Sequence, residues 1–86
     1  MTLPTQGLLV ITARECVAEI LEAPLAEIPG DANLRQDLDV DSLQQLELVT
    51  MLEDRFGVLL DADDLSEVDS IEDLAARTLR KLGLPG

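Results

Sequence analysis

The chain has 86 residues, 18 acidic and 6 basic, and a formal net charge of −12. That length fits one domain, and the charge disfavours nucleic acid and anionic membrane surfaces as partners while favouring basic proteins. Hydrophobic residues make up 47% of the chain and Phe56 is its one aromatic, so the core has to come from Leu, Ile, Val and Ala, which suit helix packing.

In chain order, residues 1–6 are expected to be a frayed end. The run Leu8-Leu9-Val10-Ile11 is too short, and lacks the basic leader, for a secretory signal. A first helix is expected over residues 7–21, with Val10, Ala13, Val17, Ile20 and Leu21 as its apolar stripe and Cys16 as a semi-buried packing residue. Pro24 and Ile28-Pro29-Gly30 stop it. A connection over residues 22–41 follows, long enough to need anchors, for which Leu25, Ile28, Leu34, Leu38 and Val40 are available. A second helix is expected to start at Asp41-Ser42, with Asp41 as N-cap and Gln44 completing a capping box. Leu43, Leu46, Val49, Leu52 and Phe56 supply its apolar side, and Gly57 its stop. A short turn of helix is expected over residues 62–66. The last helix is capped by Ser70, with Asp73 as box partner and a stripe of Ile71, Leu74, Ala75, Leu79 and Leu82. Residues 83–86 form a tail, and 7–82 make one domain, a small all-α four-helix bundle with a long loop between helices one and two.

The chain has no histidine, which excludes Ser–His and Cys–His nucleophile pairs, and one cysteine, which excludes an intramolecular disulfide and an ordinary zinc site. No Gly-rich loop precedes a basic residue to cradle nucleotide phosphates. The residue in an unusual place is Ser42, at a helix start behind a long loop, with Asp39 and Asp41 just before it. Taken by position alone it is an ordinary first-turn serine.

The segment Asp37-Leu38-Asp39-Val40-Asp41-Ser42-Leu43 and the Leu46-Glu47-Leu48-Val49 and Leu52-Glu53-Asp54-Arg55-Phe56-Gly57 stretches that follow resemble the Asp-Ser-Leu region of acyl carrier proteins. Cys16 to Leu21, the loop residues Ile28, Asp31, Leu34 and Leu38, and the segments 61–66 and 70–82 extend the resemblance over nearly the whole chain. It implies a non-catalytic carrier whose Ser42 hydroxyl receives 4'-phosphopantetheine from coenzyme A through a separate phosphopantetheinyl transferase. It also implies docking of the second helix onto basic patches of synthase enzymes such as an acyltransferase, ketosynthase or ligase. The acids Asp39, Asp41, Glu47, Glu53 and Asp54, with Leu43 and Met51 for apolar contact, are the candidate recognition residues. Asp39 departs from the family, where glycine is common, and with Gln44 and Thr50 it tilts the reading towards a specialised pathway, polyketide, mixed polyketide–peptide or another secondary metabolite, with fatty acid biosynthesis still open. A cytoplasmic monomer, free of membrane and nucleic acid, is expected. Two other readings stay open: an unmodified acidic helical adaptor, and a calcium module using Asp61, Asp63, Asp69 and Glu72, which has Leu65 and Ser66 where an EF-hand loop needs a ligand and a glycine.

Overall fold

A computed structural model of the protein describes residues 5–83, and side-chain caps set where its helices begin. Helix α1 (Gln6–Leu21) starts at Thr5, whose hydroxyl oxygen accepts the Leu8 N–H at 3.2 Å. Thr5 and Gln6 thus belong to the helix rather than to the end segment, of which residues 1–4 lie outside the described residues, as do 84–86 of the tail. Helices α2 (Ser42–Phe56), α3 (Ala62–Ser66) and α4 (Ile71–Lys81) each open with a capping box, made by Asp41 with Gln44, Asp61 with Asp64 and Ser70 with Asp73. A single 3-10 turn, Leu25–Glu27, lies in the long connection, and the described residues contain no strand beyond one isolated bridge between Asn33 and Ser70. This is the all-α four-helix architecture expected from the sequence.

Two left-handed residues end the longer helices. Glu22 (φ 53°) closes α1, with the Ala23 N–H reaching back to the Ala18 carbonyl at 3.0 Å. Gly57 (φ 64°) closes α2.

The core lies where α1 packs against α4 and α2. Ala13, Cys16 and Val17 of α1 meet Leu48, Val49 and Leu52 of α2 and Ile71 and Leu74 of α4, and a continuation of this core joins Leu9 to Ala75 and Leu79. The expected stripes are rotated in places. Leu9 is buried on α1, where Val10 had been expected, and Val10 is half-buried. Thr12 and Thr78 are also buried, the latter because its hydroxyl donates to the Leu74 carbonyl at 2.8 Å and needs no water. Cys16 is fully buried rather than semi-buried, and that burial pushes its thiol pKa up. The nearby Arg55 opposes the shift, and Glu19 and Glu15 add to it.

The connection between α1 and α2 is held from several sides. Ile28, Ala32, Leu34 and Val40 are buried in it and Leu38 is half-buried, whereas Leu25, expected as an anchor, is exposed. Its backbone is used instead: the Arg14 guanidinium donates to the carbonyls of Leu25 and Ile28, clasping the loop onto α1. Gly30 is needed where the loop crosses α1, since a Cβ there would stand 2.9 Å from Val10 Cγ1.

The short α3 is tied to α4 by charge. Asp64, almost fully buried, meets Lys81 Nζ at 3.0 Å and Arg77 at 3.7 Å, and Arg77 also binds Glu67. Burial raises the Asp64 carboxyl pKa, but the Asp61 N–H and the Lys81 ammonium outweigh it and hold the group below the usual carboxylate range.

Candidate functional site

Ser42 is the first residue of α2. Its place is set by Asp41, whose Oδ1 accepts the Gln44 N–H at 2.8 Å while Gln44 Oε1 accepts the Asp41 N–H at 3.1 Å. The Gln45 N–H goes to the Asp41 carbonyl, which leaves the N–H groups of Ser42 and Leu43 without an intrahelical partner beside the serine hydroxyl. With the positive end of a helix of 15 residues, they favour a negatively charged group at that point. Ser42 itself is exposed, so its hydroxyl is open to an enzyme.

Beside the serine runs an open groove of about 380 Å³ lined by Arg35, Ser42, Gln45, Leu46, Leu65 and Ser66. A smaller recess of about 70 Å³ adjoins it between α3 and the loop, reaching Leu34 and Val68 and sharing Arg35, Gln45, Leu65 and Ser66 with the groove. The long loop, α2 and α3 thus each contribute a wall next to the exposed Ser42 hydroxyl.

The candidate recognition residues are placed unequally. Asp39, Asp41, Leu43, Glu47 and Asp54 are exposed, with Leu43 at 66%. Asp39 has φ 55°, a left-handed conformation that explains why glycine suits this position and why Asp, one of the residues that tolerates it, can stand there. Met51 is half-buried against the core. Glu53 is half-buried too, and its Oε2 accepts the Leu60 N–H at 2.9 Å, fixing the chain after α2. No local pattern reveals that bond, because the partner lies seven residues away across a turn.

Leu46, expected in the core, is 57% exposed, while Leu48 is buried at 1%. Leu46 and Leu43 therefore form an apolar patch beside Ser42, and Leu46 lines the groove. Leu48, Val49 and Leu52 define the inward face of α2, which turns Leu46 outward. The calcium candidates Asp61, Asp63, Asp69 and Glu72 are not gathered: Asp61 caps α3, and among the described residues no group of three or more acidic or sulfur side chains is arranged to hold a metal.

An exposed serine at the head of a long helix in a small helical bundle, flanked by acids and a groove, is an arrangement suited to a carrier. Comparison with known proteins agrees. The family model for the phosphopantetheine attachment site matches residues 12–78. The polyketide-8 synthase acyl carrier protein 2 of Streptomyces avermitilis is 40% identical over 70 residues, covering 81% of this chain and 80% of its own. Acyl carrier protein 3 of Ralstonia nicotianae is 38% identical over 61 residues, 71% of this chain and 70% of its own. An acyl carrier protein of an Exiguobacterium species is 31% identical over 78 residues, 91% of this chain and 99% of its own. The chain belongs to the acyl carrier protein family, with 4'-phosphopantetheine as its prosthetic group. The residues present fit that group: an exposed hydroxyl, free N–H groups for the phosphate and an open groove for the chain that follows.

Proposed function

We propose that Ser42 carries the 4'-phosphopantetheine arm and that the protein is a non-catalytic carrier presenting biosynthetic intermediates to synthase enzymes. The observation that supports this most is the exposed Ser42 hydroxyl at the first position of α2, beside free N–H groups, inside the matched attachment-site domain. Attachment replaces the bond between the two phosphates of coenzyme A with a bond from Ser42 Oγ to phosphorus, adenosine 3',5'-bisphosphate departs as the leaving group, and the hydroxyl proton goes to a base of the phosphopantetheinyl transferase. The carrier supplies no base of its own, which accords with a chain lacking histidine. When attached, the arm supplies the thiol that holds acyl groups as thioesters.

The acids Asp39, Asp41, Glu47 and Asp54 and the leucines Leu43 and Leu46 make the face that an acyltransferase, ketosynthase or ligase with a basic patch meets. Glu53 and Met51 contribute from half-buried positions. Such docking is transient and weakens with salt. The pathway is of polyketide, mixed polyketide–peptide or fatty acid type. The 40% identity to a polyketide synthase carrier favours the polyketide side. The carrier works as a cytoplasmic monomer; no described helix is long and apolar enough to cross a membrane.

Intact mass after incubation with coenzyme A and a broad-specificity transferase tests this. The wild type gains one phosphopantetheine and Ser42→Ala gains none. No gain with several transferases would instead favour an unmodified acidic adaptor.

A further inference from the structure

Arg35 stands on the wall of the Ser42 groove and has no evident task in the fold. Its side chain is exposed. Among the described residues, the ion pairs use Arg77 and Lys81, which bind the acids of α3, and Arg14 is taken by loop carbonyls. The backbone around Arg35 is nevertheless fixed on both sides. Its N–H donates to Asn33 Oδ1 at 3.0 Å, and the neighbouring Leu34 is buried, its N–H donating to the Asp69 carbonyl at 2.9 Å and its carbonyl accepting the Val40 N–H at 2.8 Å. The guanidinium therefore extends from a fixed point of the backbone.

Its surroundings make the charge informative. The protein carries a net −12, and Asp39 and Asp41 precede the serine, yet the groove lining contains no acid and one cation, Arg35. An anion tethered to Ser42 Oγ meets repulsion on the side of the two aspartates and attraction on the side of the groove. A guanidinium offers several N–H donors in a planar fork, the geometry that suits phosphate oxygens.

We propose that Arg35 is a positioning residue that pairs with the phosphodiester of the arm on Ser42 and turns the arm into the groove between α2 and α3. This rests on the reading of Ser42 as the attachment point. The pair is exposed, so it is weak and sensitive to salt, and it biases the arm without locking it.

The test is nuclear magnetic resonance on apo and holo protein, with intact mass first establishing the arm. On conversion to the holo form, the Arg35 Nε–H signal of the wild type moves, a measurement that needs no variant. The ³¹P signal of the holo wild type differs from that of holo Arg35→Ala, with Arg35→Lys between them. That difference collapses at 1 M salt, where the screening length is about 3 Å. An arm present by mass, with the Arg35 signal unmoved and the ³¹P signals of wild type and Arg35→Ala coincident, overturns the pairing and leaves the Ser42 reading standing. Absence of any mass gain overturns both. Loading with malonyl and with acetyl groups separates the two possible anions: a response confined to the malonyl form would assign Arg35 to the cargo carboxylate and overturn its assignment to the phosphodiester.

Discussion

Leu46 and Leu48 lie two residues apart on α2 and face opposite ways, so truncating each to alanine separates the helix's structural face from its presenting face. Leu48 is 1% exposed and packed within the main core. Removing a fully buried leucine side chain costs the lost transfer energy plus that of the cavity left behind, about 3–4 kcal/mol for Leu48→Ala. A domain of this length has a total stability of about 4–13 kcal/mol, so the loss is a large part of the whole. With a urea slope near ~1 kcal/mol/M, the unfolding midpoint falls by about 3 M. Leu46, at 57% exposure, keeps less than half of that burial. About three methylene equivalents at ~0.8 kcal/mol each, scaled by the buried fraction, give ~1 kcal/mol, part of which the better helix propensity of alanine returns. Urea denaturation followed by circular dichroism reads both variants. A loss for Leu46→Ala equal to or greater than that for Leu48→Ala would refute the assignment of faces. The penalty of Leu46→Ala is expected instead in a raised KM of partner enzymes for the loaded carrier.

Three further predictions concern charge, the thiol and the loop. Because the folded-state pKa of Asp64 is depressed, its stabilising contribution is present above the unfolded carboxylate value of about 3.9 and is lost as pH falls through the lower folded value. The stability difference between wild type and Asp64→Asn should be constant between about pH 5 and about pH 9 and shrink on acidification; a difference that does not change on acidification would contradict this. Lys81 shifts the other way, its pKa raised by the hydrogen bond to Asp64, so its contribution is complete below its unfolded value and is lost as alkaline pH passes the folded one. Cys16, fully buried with a raised pKa, should react with an aromatic disulfide reagent only as fast as the protein opens; rapid stoichiometric reaction of the native protein at pH 8 would refute its burial. Asp39→Val places a β-branched side chain in a left-handed conformation and should cost about 1–2 kcal/mol, while Asp39→Gly stays within about 0.5 kcal/mol because glycine's freedom in the unfolded chain offsets the relief of strain. Equal effects of the two, read as denaturation midpoints, would argue against the positive φ.

Local signals in the sequence carried most of the fold. The Asp41–Gln44 and Ser70–Asp73 boxes, the Gly57 stop and the anchors Ile28, Leu34 and Val40 are all where short-range chemistry places them. What stayed hidden depends on neighbours distant in sequence. Leu46 looks like a core residue until the position of Leu48 shows which face α4 and α1 leave to solvent. Glu53 looks like surface until the chain after Gly57 turns back to it. The ties from Arg14 to the loop and from Arg77 and Lys81 to α3 join elements far apart in the chain, so no periodicity reveals them. The proposal for Ser42 rests, in the sequence, on the run of residues around it; the groove and Arg35 beside it needed the fold.

The most direct test of the central claim is to find which residue bears the arm. Cleavage after Arg35 and Arg55 releases residues 36–55, a peptide in which Ser42 and Thr50 are the hydroxyl residues. After transferase treatment, fragmentation of that peptide should place the whole phosphopantetheine mass on Ser42. Finding it on Thr50, on a peptide bearing Ser66 or Ser70, or nowhere in the chain would contradict the account.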